Sequence, residues 1–187
     1  MIPSSRLLFL PLAAVAVCAP AQATVYLSVD EAQKLMFGEQ ALTPLPLSLT
    51  PAQTAAIEQD AGVKVYSGSL RAWKAGDGYF FVDAVIGKHD LITYAVALGA
   101  DGKVRQLEIL EYREAYGSDV RNPRWRAQFS GKQHGDALRI GDGIQNISGA
   151  TLSSEHLTEG VRRLLATYAI AIAQPVAQAS EQPATQR

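Results

Sequence analysis

Residues 147–154, Ile147-Ser148-Gly149-Ala150-Thr151-Leu152-Ser153-Ser154, set small backbones and four hydroxyls immediately before a long amphipathic stretch. A helix start turns unpaired N–H groups and the positive end of its dipole outward, and Gly149 lets a ligand come close to the backbone. The hydroxyls of Ser148, Thr151, Ser153 and Ser154 can donate to oxygens, so the run reads as an anion site whose natural guest is a phosphate. A simpler alternative is that Ser153 or Ser154 only caps the helix. Four hydroxyls exceed what one cap requires.

Other chemistry finds less support. His89, His134 and His156 are scattered, and no two have metal-ligand spacing, so neither a metal ligand nor a catalytic residue is assigned. His156 reads as a solvated histidine at a helix start. Ser148-Gly149 lacks the Gly-x-Ser-x-Gly elbow of the serine hydrolases. Asp83, Asp90, Glu108 and Glu111 alternate with apolar neighbours and read as solvated strand faces rather than a glycosidase pair.

The elements that must position the run follow from period and punctuation. Ser28-Val29-Asp30-Glu31 is a capping box for a helix to about Phe37, stopped near Gly38, and Thr50-Pro51 opens a second helix over 52–60 that Gly62 ends. From Val63 the period becomes two. Strands are expected over 65–74, 79–86, 91–98 and 103–112, joined by the tight turns Ala75-Gly76-Asp77-Gly78 and Gly99-Ala100-Asp101-Gly102. Asn122-Pro123 starts a helical turn with Trp125 and Phe129 on one face, and a helix over 154–173 carries Leu157, Val161, Leu164, Leu165, Tyr168 and Ile172 as its apolar stripe. The fold class is therefore α+β: an antiparallel meander of about four strands packed by helices. No internal repeat is evident.

Composition sets the context. The 187 residues carry 17 Lys+Arg against 18 Asp+Glu with no basic run, which excludes a nucleic-acid binder. Residues 1–23 differ from the rest: Arg6, an apolar run over 7–19 and Ala21-Gln22-Ala23 form a secretory signal with a small-x-small cleavage site. The apolar run is too short to span a membrane. A mature chain beginning at Thr24 loses Cys18, the only cysteine, so disulfides, thiol catalysis and iron–sulfur clusters are excluded. The expected organisation is a signal peptide (1–23), a helical segment (24–62), a principal domain (63–173) and a disordered tail (174–187) rich in Gln, Ala and Pro.

Ser148-Gly149-Ala150-Thr151 resembles the flavinylation motif of the FMN-binding domain shared by the G subunit of the Rnf electron-transport complex and the C subunit of the sodium-pumping NADH:quinone reductase. Glu114-Ala115-Tyr116-Gly117 stands where that family has a Glu-Thr-Pro-Gly turn, keeping the acid and the glycine. Trp125, Phe129, Gly131 and Lys132 resemble the aromatic-then-Gly-Lys stretch of its small, stand-alone exported members. One position departs: Gln145 replaces the acidic residue usual three before the motif serine, with Asp142 three positions earlier.

The resemblance implies an FMN site at the N-terminus of the C-terminal helix, with the cofactor joined through a phosphoester to Thr151. An exported flavin transferase using FAD and Mg²⁺ would make that bond and release AMP, and a membrane-bound reductase would supply electrons. Ser148, Gly149, Ala150, Ser153 and Ser154 are the phosphate-side candidates. Tyr112, Tyr116 and Trp125 are candidates for contact with the flavin ring, with ordinary packing as the alternative for each. Glu114 either hydrogen-bonds the flavin or fixes its turn, and Gly117 belongs to that turn. The expected function is a periplasmic or otherwise exported electron carrier rather than an enzyme with its own substrate. The competing reading is a binding or assembly module that holds FMN noncovalently or holds no cofactor, and Gln145 favours it.

Overall fold

The computed structural model describes residues 23–66, 70–114 and 117–173. The expected signal segment up to residue 22, Tyr116 and the tail from residue 174 lie outside the described residues. The expected capping box forms, and the Thr50 cap proves to be a second one. Ser28 N–H donates to Glu31 Oε2 at 2.7 Å while Glu31 N–H donates back to Ser28 Oγ at 3.2 Å, opening helix α1 (Val29–Phe37). Thr50 and Gln53 exchange the same pair of bonds at the start of α2 (Pro51–Ala61).

The sheet is larger than the expected meander. Its centre is the predicted run of four antiparallel strands, β3 (Arg71–Ala75), β4 (Gly78–Ile86), β5 (Leu91–Gly99) and β6 (Val104–Tyr112), and two short strands close its edges. Strand β1 (Thr24–Val25) pairs with β6, and β2 (Thr43–Leu45) with β3, giving the order β1-β6-β5-β4-β3-β2. Strand β3 starts later than its apolar pattern suggested, because Val65 N–H bonds the Glu58 carboxylate instead of a neighbouring strand.

Both faces of the sheet are covered, which explains the apolar runs in β4 and β5. On one face Phe80, Val82, Ala95 and Ala97 pack with Ala32 and Phe37 of α1. On the other, Phe81, Val85, Tyr94, Val96 and Leu98 meet Leu157, Val161 and Leu164 of the long helix α4 (Thr151–Thr167). The imperfect alternation of β6 has a local cause: the register of β5 against β6 shifts between Thr93 and Tyr94, so that Tyr94 faces Ile109 while Thr93 faces Glu111 and Leu110 is turned to the opposite core.

The connection from β6 to α4 holds a 3-10 turn (Ser118–Arg121), the helix α3 (Pro123–Arg126) with a further 3-10 turn (Ala127–Phe129), and the parallel pair β7 (Arg139–Ile140) and β8 (Gly143–Ile144). Helix α4 begins one turn earlier than its stripe indicated and continues from Tyr168 to Ala173 as π-helix.

The full coverage of the sheet corrects the reading of Asp83 as a solvated residue. On β4 it shares the face of Phe81 and Val85, beneath α4, and is 2% exposed. Glu108 is likewise partly buried, paired with Arg126 of α3, whereas Asp90 is exposed as expected.

Candidate functional site

The loop before α4 is held from both sides. Trp125 Nε1 donates to the Gln145 carbonyl at 2.7 Å, and Gln145 N–H donates to Gln128 Oε1 at 2.8 Å. The α3 region therefore fixes the approach to the motif. The Trp125 indole lies in the core, edge-on to Phe129 with ring centroids 5.2 Å apart, so the structure gives it the packing role rather than an open stacking surface.

At the helix start the hydroxyls divide into two groups. Ser148, Gly149 and Thr151 are exposed, while Ser153 and Ser154 are buried. Ser153 Oγ lies 3.0 Å from the Tyr112 hydroxyl, and Ser154 Oγ donates to Asn146 Oδ1 at 3.0 Å. Neither serine caps the helix: Ala150 is the N-cap residue and provides no side-chain bond. Within the helix, the first N–H that returns along the chain is that of Ser154, to the Ala150 carbonyl at 2.9 Å, so those of Thr151, Leu152 and Ser153 are the ordinary orphans of a helix start. Gly149 has φ +85°, and a side chain there would meet nothing within 4 Å, so open space adjoins its backbone.

Asn146 escaped the sequence reading. Its side chain bridges the motif: Nδ2 donates to Thr151 Oγ1 at 3.2 Å while Oδ1 receives Ser154. The exposed hydroxyl that the resemblance selects is thus aimed by an amide. An Asn two residues before a motif serine has no periodic signal, and only the folded loop reveals it.

The Glu114 turn comes to the same place. Gly117, at φ +90°, is so close to the helix that a Cβ would lie 2.7 Å from Tyr112 Oη and 2.8 Å from Ser153 Oγ, which leaves only glycine room there. Segments separated by three dozen residues of sequence therefore meet around Ala150 and Ser153. Burial holds the Tyr112 hydroxyl above its ordinary pKa despite its bond to Ser153. Glu114 itself points at the β4–β5 loop, where Oε1 accepts from the N–H groups of His89 and Asp90, the latter at 2.9 Å. Burial pushes this carboxyl upward, but the loop N–H bonds outweigh it and leave the pKa below 4.5.

The same loop is clasped from the helix. His156 Nδ1 lies 2.6 Å from the Ile86 carbonyl and 2.9 Å from that of Gly87. The expected solvated histidine is a structural link between α4 and the hairpin.

Residues 87–166 match the family model of the FMN-binding domain. The chain carries an FMN-binding domain. The match runs from the β4–β5 loop to the last turn of α4, so it takes in the Glu114 turn, α3 and the whole 147–154 run. No curated protein matches the chain. FMN suits the residues found here: its phosphate is an anion, and the domain offers an exposed hydroxyl, three orphan N–H groups and an open glycine at one helix end. Among the described residues no group of three His, Cys, Asp or Glu side chains is arranged to hold a metal.

The Glu114 contacts make one test direct. A carboxyl whose folded pKa lies below its unfolded value stabilises above the unfolded value, and that contribution disappears as pH falls through the folded one. Melting of wild type and Glu114→Gln should therefore differ at neutral pH, with the variant lower, and converge in acid below 4.5. A gap that persists in acid would mean that the carboxylate's charge is not what holds the loop.

Proposed function

We propose that this protein is an exported electron carrier whose FMN is joined by a phosphoester to Thr151 Oγ1. The observation that supports it most is the placing of that hydroxyl: exposed, on the first residue of α4, and bonded by Asn146. Ser153 and Ser154 are buried in internal hydrogen bonds, which leaves Thr151 as the hydroxyl presented at the helix start.

Attachment is chemically balanced with FAD as the donor. The Thr151 Oγ1–phosphorus bond forms as the pyrophosphate bond of FAD breaks, AMP leaves, and the threonine proton passes to solvent. A flavin transferase with Mg²⁺ would carry this out after export. The domain presents the nucleophile, with Asn146 fixing its direction and the orphan N–H groups facing the incoming phosphate. Once attached, the isoalloxazine supplies the redox chemistry, and the protein sets its orientation and surroundings. A tether is useful outside the cytoplasm, where a lost cofactor is hard to recapture. A membrane-bound reductase is the proposed electron donor.

The deciding experiment is production with a flavin transferase in an exporting host, followed by mass measurement of the denatured protein. An added FMN mass supports the proposal. Colour lost on denaturation would indicate a noncovalent site. A colourless protein would leave only a cofactor-free module.

Asn146 supplies a finer test. Asn146→Ala should slow FMN incorporation roughly ten- to a hundredfold, the scale of effect of misdirecting a reacting group. A time course of mass gain measures it, and an unchanged rate would mean that the amide does not aim Thr151.

A further inference from the structure

The N-terminal segment builds a cavity that the FMN-binding domain does not supply. It measures about 390 Å³ and lies between residues 47–49, the first turn of α2, the stretch leading into β3 and the end of α4. Nine of its ten lining residues fall outside the 87–166 match, and Arg163 is the exception. Leu47, Leu49, Val65 and Leu70 make its walls apolar, while the Asp83–Arg163 ion pair, with side chains 1% and 6% exposed, borders the interior.

Water alone accounts poorly for this space. The volume is within the ~300–1,000 Å³ of ligand sites and would hold roughly a dozen waters at liquid density. One ion pair needs far fewer, and the four aliphatic side chains offer the rest no hydrogen bonds.

The ion pair sets what an occupant must bring. Asp83 is satisfied from within the core, since Oδ2 accepts from Arg163 and Tyr94 and Oδ1 from the Ala84 N–H. Arg163 is not used up. Of the five N–H groups on a guanidinium, among the described residues one donates to Asp83 and one to the Lys64 carbonyl at 3.2 Å. Its guanidinium carbon lies 5.8 Å from the centre of the Tyr66 ring, which adds an aromatic surface to the wall. A guanidinium donates and never accepts, so the occupant must offer an acceptor oxygen. Asp83 already neutralises Arg163, so a second carboxylate would bury an excess negative charge, whereas a carbonyl would not.

We propose that this cavity binds a neutral amphiphile, an apolar ring system ending in a carbonyl that accepts from Arg163. The site is a second one, and it does not depend on how FMN is held.

Three compounds that share one frame test this: 2-acetylnaphthalene, 2-ethylnaphthalene and 2-naphthoate, each titrated into the whole protein and followed by methyl NMR. The ketone should bind saturably, with NOEs to the methyl groups of Leu47 and Leu70. It should bind about tenfold more tightly than the other two, the scale of one hydrogen bond to a charged group. Ser48→Trp should abolish binding, because Ser48 is an exposed lining residue whose enlargement fills the space without removing a core contact. If that variant misfolds, the wild-type NOEs decide alone. Failure of all three compounds to saturate would mean that the cavity holds only solvent. Equal binding of the ethyl compound would remove Arg163 from the site, and tighter binding of the naphthoate would make it an anion site. NOEs confined to other methyl groups, or undiminished binding in Ser48→Trp, would place the ketone elsewhere. Each of these results overturns the proposal.

Discussion

Thr151→Ala should remove the added FMN mass entirely from protein produced with a flavin transferase, and should leave the fold unchanged. Both halves of this expectation come from the same geometry. The Thr151 hydroxyl is exposed and makes one side-chain hydrogen bond, to Asn146 at 3.2 Å, so its loss should shift stability by no more than about 0.5 kcal/mol. Ser153→Ala and Ser154→Ala behave in the opposite way. Those hydroxyls are buried and bonded to Tyr112 and Asn146, so their loss should lower the melting temperature without abolishing attachment. Thr151→Ser keeps the nucleophile but loses the methyl group that restricts χ1, and should load more slowly than the wild type. Peptide mapping of the loaded protein checks the assignment. A Thr151→Ala chain that still gains the mass would move the attachment to another exposed hydroxyl, of which Ser148 is the nearest in sequence.

Local rules and the longer pattern differed in how much they disclosed. The capping box at Ser28 and the N-cap at Thr50 were legible because caps are made by residues close in sequence and need no tertiary partner. The four central strands were legible from their period. Strands β1 and β2 were not, since two or three residues carry no period and pair only because a sheet edge is there to receive them. The motif was readable as a helix-start anion site, but the roles of its hydroxyls depend on which side of α4 meets Tyr112 and Asn146. The bonding roles of His156 and Asn146 were hidden for the same reason. Each bonds a partner that the chain brings near only after folding, and neither residue type marks a site alone.

The most damaging single substitution should be Asp83→Ala, at a position whose alternation suggested solvent. The carboxylate accepts from Arg163 Nη2 at 2.7 Å, from Tyr94 Oη at 3.2 Å and from Ala84 N–H at 2.8 Å, and every buried side-chain polar atom among the described residues has a partner. Burial and the nearby Asp83 charge hold the Tyr94 hydroxyl well above its ordinary pKa, so it remains a donor. Burial works against the charge on Arg163, but Tyr94 and Asp83 more than compensate, and it stays a cation in the core. Truncating Asp83 leaves that cation without its carboxylate, a loss of about 3–5 kcal/mol for a broken buried pair. For a chain of this size the loss corresponds to a fall on the order of 10 °C in melting temperature. Replacing both partners at once, as Asp83→Leu with Arg163→Met, should cost much less than Asp83→Ala, because no charge is stranded. The comparison reaches function through α4. Arg163 joins the C-terminal part of that helix to β4, so Asp83→Ala should also broaden the His156 resonances as the helix loosens against the sheet. If the double variant recovers stability but not the sharp His156 signal, the ion pair fixes the position of α4 rather than the strength of the core. Equal losses in the single and double variants would show instead that packing volume at Asp83, not charge, sets the cost.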